Sequence, residues 1–205
     1  MRSHLPNSFS RRHRSFRMIR AFAAIALPPE IRERLVQVQA GLPEGRPVPP
    51  ENLHLTLVFL GELPEPRLDD VHLAFAGIRA GRFQLTVSGL GLFGSDRPHN
   101  LHAALAESAP LRHLQTKLET AARRAGVVLD RRRFVPHVTL ARLGRDRSAR
   151  RRVELAVAQA ADFRAGPFEV GFFGLFRSEI GRNAARYTEL MRYTLFASQD
   201  ASPGA

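Results

Sequence analysis

His54-Leu55-Thr56-Leu57-Val58-Phe59-Leu60-Gly61 is the stretch on which the reading of this chain turns. In an extended strand the side-chain period is two, so His54 and Thr56 point to one face while Leu55 and Leu57 point to the other. Alone, such a polar pair in an apolar run describes a half-exposed edge strand made of good β-formers. The phrase recurs, however, as His137-Val138-Thr139-Leu140, 83 residues further on. Two His/Thr pairs presented in this way look like the halves of one active site.

The repetition reaches beyond the motif. At the same offset Ile31, Leu35 and Leu42 fall on Leu114, Leu118 and Ala125, all at helical spacing. Gly91-Leu92-Phe93 falls on Gly174-Leu175-Phe176, and Ala21-Phe22-Ala23 on Ala104-Leu105-Ala106. A gap-free offset of this length reads as an internal duplication, with repeats at about 19–95 and 102–178. A period this long implies two lobes sharing a cleft, not a solenoid.

The chain of 205 residues has length for a real core, and its apolar fraction of 44% is that of a soluble protein. It has no cysteine, which excludes disulfides and thiolate metal sites and permits a reducing compartment. Its eight histidines show none of the H-x-x-x-H or H-E-x-x-H spacings that set two ligands on one helix turn, so no metal is expected. A net charge of +12 suits an anionic partner such as RNA. Yet all but Lys117 of the 31 basic residues are arginine, a bias that coding composition also produces. The five arginines of Met1–Arg17 account for +5 of that charge. That stretch has no apolar periodicity and reads as a basic, disordered extension or as a start placed too far upstream. A signal peptide does not fit, because Arg20 interrupts the apolar run that follows, and no segment has the ~20 apolar residues of a membrane span.

Strands are expected at 19–27, Leu53–Leu60 (stopped by Gly61), Phe83–Phe93, Leu101–Ala106, Pro136–Leu143, Phe168–Arg177 and Arg186–Phe196. Helices are expected from Pro28-Pro29 to Leu42, and over Pro66–Ile78, Leu111–Ala125 and Ser148–Ala161. Several neighbouring strands look hairpin-connected, so the fold class is α+β. Residues 18–200 form one domain, and 201–205 a frayed tail.

From about Met18 to Phe196 the chain resembles the 2H phosphoesterase superfamily, and most of all its RNA 2′,3′-cyclic phosphodiesterase branch, the LigT-like proteins. The resemblance rests on the paired H-x-T-x motifs with their flanks, Pro49-Pro50-Glu51-Asn52-Leu53 before the first and Phe134 and Pro136 around the second. Arg20-Ala21-Phe22-Ala23-Ala24-Ile25 and Ala185-Arg186-Tyr187 add to it. It departs in having no tryptophan, although relatives often carry one before the first motif and one where Leu101-His102-Ala103 stands here. The resemblance implies a bilobal fold with antiparallel sheets lining a central groove and helices packed outside. It also implies hydrolysis of an RNA terminal 2′,3′-cyclic phosphate to a 2′-phosphomonoester, with His54 as proton donor and His137 as proton acceptor. RNA ends or 2′,3′-cyclic nucleotides are then the partners of a cytoplasmic monomer without cofactor, membrane or obligate protein partner. An RNA 2′,5′-ligase or 2′,5′-phosphodiesterase is the rival within enzymes, and a non-catalytic RNA-binding module the rival outside them.

The chemistry asks for these residue types. Opening a cyclic phosphate needs a base for water, an acid for the departing alkoxide, and donors to the non-bridging oxygens. Histidine, titrating near ~6.5, serves as either acid or base. Thr56 and Thr139 are donors whose branched Cβ stiffens χ1, and they are assigned to substrate binding. Arg142 follows the second motif at the interval of a substrate-holding arginine in relatives, but strict alternation sets it on the face opposite His137 unless a bulge intervenes. His102 is held as a candidate groove residue. His4, His13, His72, His99 and His113 are assigned no role, Arg131-Arg132-Arg133 reads as a solvated charge run, and Phe59 and Phe134 read as core.

Overall fold

A computed structural model describes the protein over residues 16–94, 98–144, 147–181 and 185–197. The expectations for residues 1–15 and for the tail at 201–205 lie outside the described residues. In chain order, β1 (Met18–Ala26) leads to α1 (Pro29–Ala40), and the short β2 (Arg46–Pro47) to a 3-10 turn at Pro50–Asn52. Then come β3 (His54–Pro64), α2 (Glu65–Ala76), β4 (Phe83–Phe93) and β5 (Asn100–Leu105). The chain continues through α3 (Ala109–Arg124), β6 (His137–Arg142), α4 (Arg147–Gln159), β7 (Arg164–Val170), β8 (Phe172–Ile180) and β9 (Ala185–Thr194). The class is α+β, and every strand ladder is antiparallel.

The helices begin where local chemistry favours it. Pro29 occupies the first turn of α1, where its missing N–H would have no helical partner anyway. Ser108 caps α3 by accepting a hydrogen bond from the Leu111 N–H at 3.3 Å. The first three helices each bury one stripe: Ile31 and Leu35 on α1, Leu68, Val71 and Phe75 on α2, Leu111, Leu114 and Leu118 on α3. Burying such a side chain contributes about 1.5–3 kcal/mol.

The strands form one sheet in the order β7-β4-β5-β6-β3-β1-β8-β9, with β2 pairing β6 off this path. From β4 to β8 the order is symmetric when β1 is exchanged with β5, β3 with β6 and β4 with β8. Two half-sheets therefore meet at a seam between β3 and β6, and the one register pair there is Leu55↔Val138. These are the middle residues of the two H-x-T motifs.

The structure corrects three expectations about the strands. β3 does not stop at Gly61. There the strand takes φ +75° in a bulge, pairing Gly61 with Ala21 and Phe59 with Phe22, and runs on to Pro64. A left-handed glycine tolerates a bulge as readily as a strand end. The run Phe168–Arg177 is not one strand but parts of two, divided at Gly171: β7 pairs β4, whereas β8 pairs β1 in the other half-sheet. Finally, the 83-residue offset fails for the first strand. Ala24 pairs Thr56 while His102 pairs Thr139, so Ala24, not Ile19, is the positional counterpart of His102.

Candidate active site

The seam fixes the site. In an antiparallel pair the neighbours of matched residues also face each other, so Leu55↔Val138 sets His54 beside Thr139 and Thr56 beside His137. Leu55 and Val138 are buried, and all four polar side chains line a groove of about 450 Å³. The four residues singled out on two distant phrases are thus brought together.

Both rings are oriented by one device. His54 Nδ1–H donates to the Asn52 carbonyl at 2.6 Å, and His137 Nδ1–H donates to the Val135 carbonyl at 2.8 Å. A carbonyl only accepts, so each Nδ1 carries the hydrogen and each Nε2 is left for chemistry. Asn52 does more: its side-chain amide donates to the Ala185 carbonyl at 2.6 Å, tying the turn before β3 to the start of β9. Tyr187, two residues on, meets the His54 ring edge-on at 5.1 Å, and Phe22 lies 5.0 Å away on another side.

The threonines are engaged differently. His54 Nε2 lies 3.0 Å from Thr56 Oγ1. Thr139 Oγ1 instead accepts a hydrogen bond from the Asn100 amide at 3.2 Å, which directs its own hydrogen elsewhere.

The same bulge follows both motifs. The β1–β3 register skips Leu57, and the β5–β6 register skips Leu140. Each skip reverses the alternation, so Phe59 and Arg142, 83 residues apart, both turn into the groove. Arg142 thus reaches the face of His137 by the bulge that such a placement demanded. Phe59 is not core as expected: it is 65% exposed, with its ring 6.0 Å from Phe22. The groove therefore carries an aromatic wall on the His54 side and a cation on the His137 side.

Among the other histidines, His99 lines the groove although no role was expected for it. His72 bonds Tyr193 at 2.9 Å, well away from the groove. His102 is not a lining residue but is buried beside His137, with its ring 5.3 Å away. Phe134 packs against the core, and Arg131, Arg132 and Arg133 are exposed. Asn52, Asn100 and Tyr187 went unnoticed as site residues. Only the spacing of Asn52, two residues before His54, marked one of them in advance.

Burial holds the pKa values of both motif histidines below 6.5. The Asn52 carbonyl offsets part of this for His54, and repulsion from His137 adds to the lowering. The Val135 carbonyl offsets part of it for His137. The site thus disfavours two positive charges at once and suits one proton held between two imidazoles. Among the described residues no three His, Asp or Glu side chains gather as a metal site would require. No helix among them is long and apolar enough to cross a membrane.

Two imidazoles of one tautomer, two hydroxyls and an arginine line a shared groove, a donor set suited to a phosphoester. Comparison with known proteins agrees: the LigT-like phosphoesterase family model matches residues 25–101 and 104–187. The chain belongs to the LigT-like phosphoesterase family. It is 36% identical over 182 residues to the RNA 2′,3′-cyclic phosphodiesterase of Escherichia coli, covering 86% of this chain and 96% of that one. It is 33% identical to the protein of the same name from Thermus thermophilus, over 86% of this chain and 90% of its relative. The crystal structure of E. coli LigT complexed with 3′-AMP superposes with a TM-score of 0.71 at 32% identity, covering 87% of this chain and 99% of that one.

Proposed function

We propose that this chain hydrolyses the 2′,3′-cyclic phosphate at an RNA end to a 2′-phosphomonoester, with His54 as acid, His137 as base and no metal. The observation that carries this reading is the shared orienting device, which leaves both Nε2 atoms on one groove. Water enters on the His137 side, gives a proton to His137 Nε2 and attacks phosphorus. The P–O3′ bond breaks in line, and the 3′-oxygen takes a proton from His54 Nε2, leaving a 3′-hydroxyl. Thr139, whose oxygen is occupied by Asn100, donates to a non-bridging oxygen, and Thr56 holds the His54 Nε2 N–H over the groove. Because the ribose departs on the His54 side, its base lies against Phe59 and Tyr187, while Arg142 faces the phosphate. The enzymes named as relatives act on such ends.

An oligonucleotide ending in a 2′,3′-cyclic phosphate, incubated with EDTA, should be opened to a 2′-phosphate. Absence of turnover, or a 3′-phosphate product, would sink this reading. Joining of ends in the same assay would favour the 2′,5′-ligase, since one acid–base pair serves both directions.

The hydroxyls have their own test. Thr56→Val and Thr139→Val keep the branched shape, and each should cost roughly 10- to 10³-fold in turnover, Thr139→Val through a lost donor to developing charge and Thr56→Val through the lost partner of His54 Nε2. If both variants work as well as the wild type, the threonines are strand-formers only.

A further inference from the structure

His102 is a titratable group that the proposed chemistry does not use, yet it is 6% exposed and lies against the reacting centre. It pairs Thr139 across the β5–β6 ladder, so it shares that face of the sheet and flanks His137 one strand outward from the seam. Its ring stacks on Phe93 of β4 with centroids 4.1 Å apart and planes at 22°. Together the two rings meet His137 edge-to-face, His102 at 5.3 Å and 66°, Phe93 at 4.7 Å and 83°. Room for this arrangement comes from Gly91, opposite His102 on β4: a Cβ there would lie 2.7 Å from His102 Nε2. In the other half-sheet the counterpart position holds Ala24, and His54 is held by Phe22 and Tyr187 instead.

We propose that His102 is a positioning residue: an uncharged ring that, with Phe93, forms the wall fixing the His137 imidazole at its working angle. This rests on the acid–base reading of the groove given above. Charge on His102 would be costly. Its Nδ1 is fully buried and has no hydrogen-bond partner among the described residues, so a protonated ring would bury an unpaired N–H. Burial and the nearness of His137 accordingly push its pKa down to about 4, and it is neutral wherever His137 works as a base. What His102 supplies is therefore shape and dryness. A ring at this position keeps water from the inner side of His137 and prevents it from tilting. The other titratable or charged groups near His137 are His54 on β3, His99 before β5, Arg142 on β6 and Tyr187 on β9, all of which line the groove, whereas His102 does not.

The test compares His102→Ala with His102→Phe, reading kcat, KM and the titration of the His137 Cε1–H signal by NMR. In His102→Ala, kcat should fall ~10- to 100-fold with KM little changed, as expected for a misplaced reacting group. The His137 midpoint should rise toward that of a solvated imidazole as water enters the vacated space. His102→Phe should restore both, since only the ring is needed. Wild-type kcat and an unmoved midpoint in His102→Ala would overturn the proposal. So would a His102→Phe variant as impaired as His102→Ala, because the imidazole nitrogens would then be chemically engaged. The NMR readout needs no substrate. A midpoint that shifts in a protein unable to open cyclic phosphates would therefore refute the proposed reaction while upholding the role of His102.

Discussion

Alanine at His54 or at His137 is expected to lower turnover of a 2′,3′-cyclic-ended oligonucleotide by ~10²–10⁴, the usual worth of one general acid or base. The geometry says why either loss suffices. Each ring is anchored through Nδ1 and offers Nε2 to the groove, so neither can take over the other's proton transfer. The double variant should accordingly be little worse than the singles, because one missing partner already breaks the concerted step. The fold should survive, since the apolar side chains between the polar ones, Leu55 and Val138, hold the seam. A single variant with near-wild-type turnover would remove that histidine from the mechanism.

A nitrophenyl phosphodiester separates the two roles. Its leaving group hardly needs a proton, so His54→Ala should recover most of its activity on this substrate while His137→Ala stays crippled. The pH profile follows from the same assignment. The productive form has His54 protonated and His137 neutral, so the rate falls at low pH as His137 takes a proton and at high pH as His54 loses one. Burial lowers both pKa values below 6.5, which places the optimum of kcat/KM for the RNA substrate on the acid side of that value. A bound phosphate anion favours the charged His54, so the alkaline limb of kcat should lie at higher pH than that of kcat/KM. On the nitrophenyl substrate His54→Ala should lose the alkaline limb altogether. Rescue of His137→Ala instead would exchange donor and acceptor.

How far the sequence could be read depended on the range of the signal. His54, Thr56, His137 and Thr139 were legible because strand alternation is local and the phrase occurs twice. The α+β class and the helical stripes at Ile31 and Leu35 or Leu114 and Leu118 were legible for the same reason. Phe59 was misread because a single skipped residue at Leu57 reverses alternation, and Leu57 itself looks like any strand leucine. The run from Phe168 to Arg177 was misread because its apolar residues serve two strands in opposite half-sheets, and only Gly171 marks the break. Asn100 and Tyr187 were invisible as site residues, since each reaches the groove through pairing with partners far away in the chain.

The strand order also sets a timetable for the nascent protein. β1 cannot complete its half-sheet with β3 alone: its second neighbour, β8, is made from Phe172 onward, and the wall beside His54 closes only when Ala185 and Tyr187 of β9 arrive. The half holding His137, by contrast, draws β4, β5, β6 and β7 from residues already synthesised by Val170. At ~5–20 residues per second on the ribosome, the strands around His137 are thus complete before those around His54. A chain released before β9 carries both histidines but lacks the Ala185 and Tyr187 contacts that close the groove beside His54.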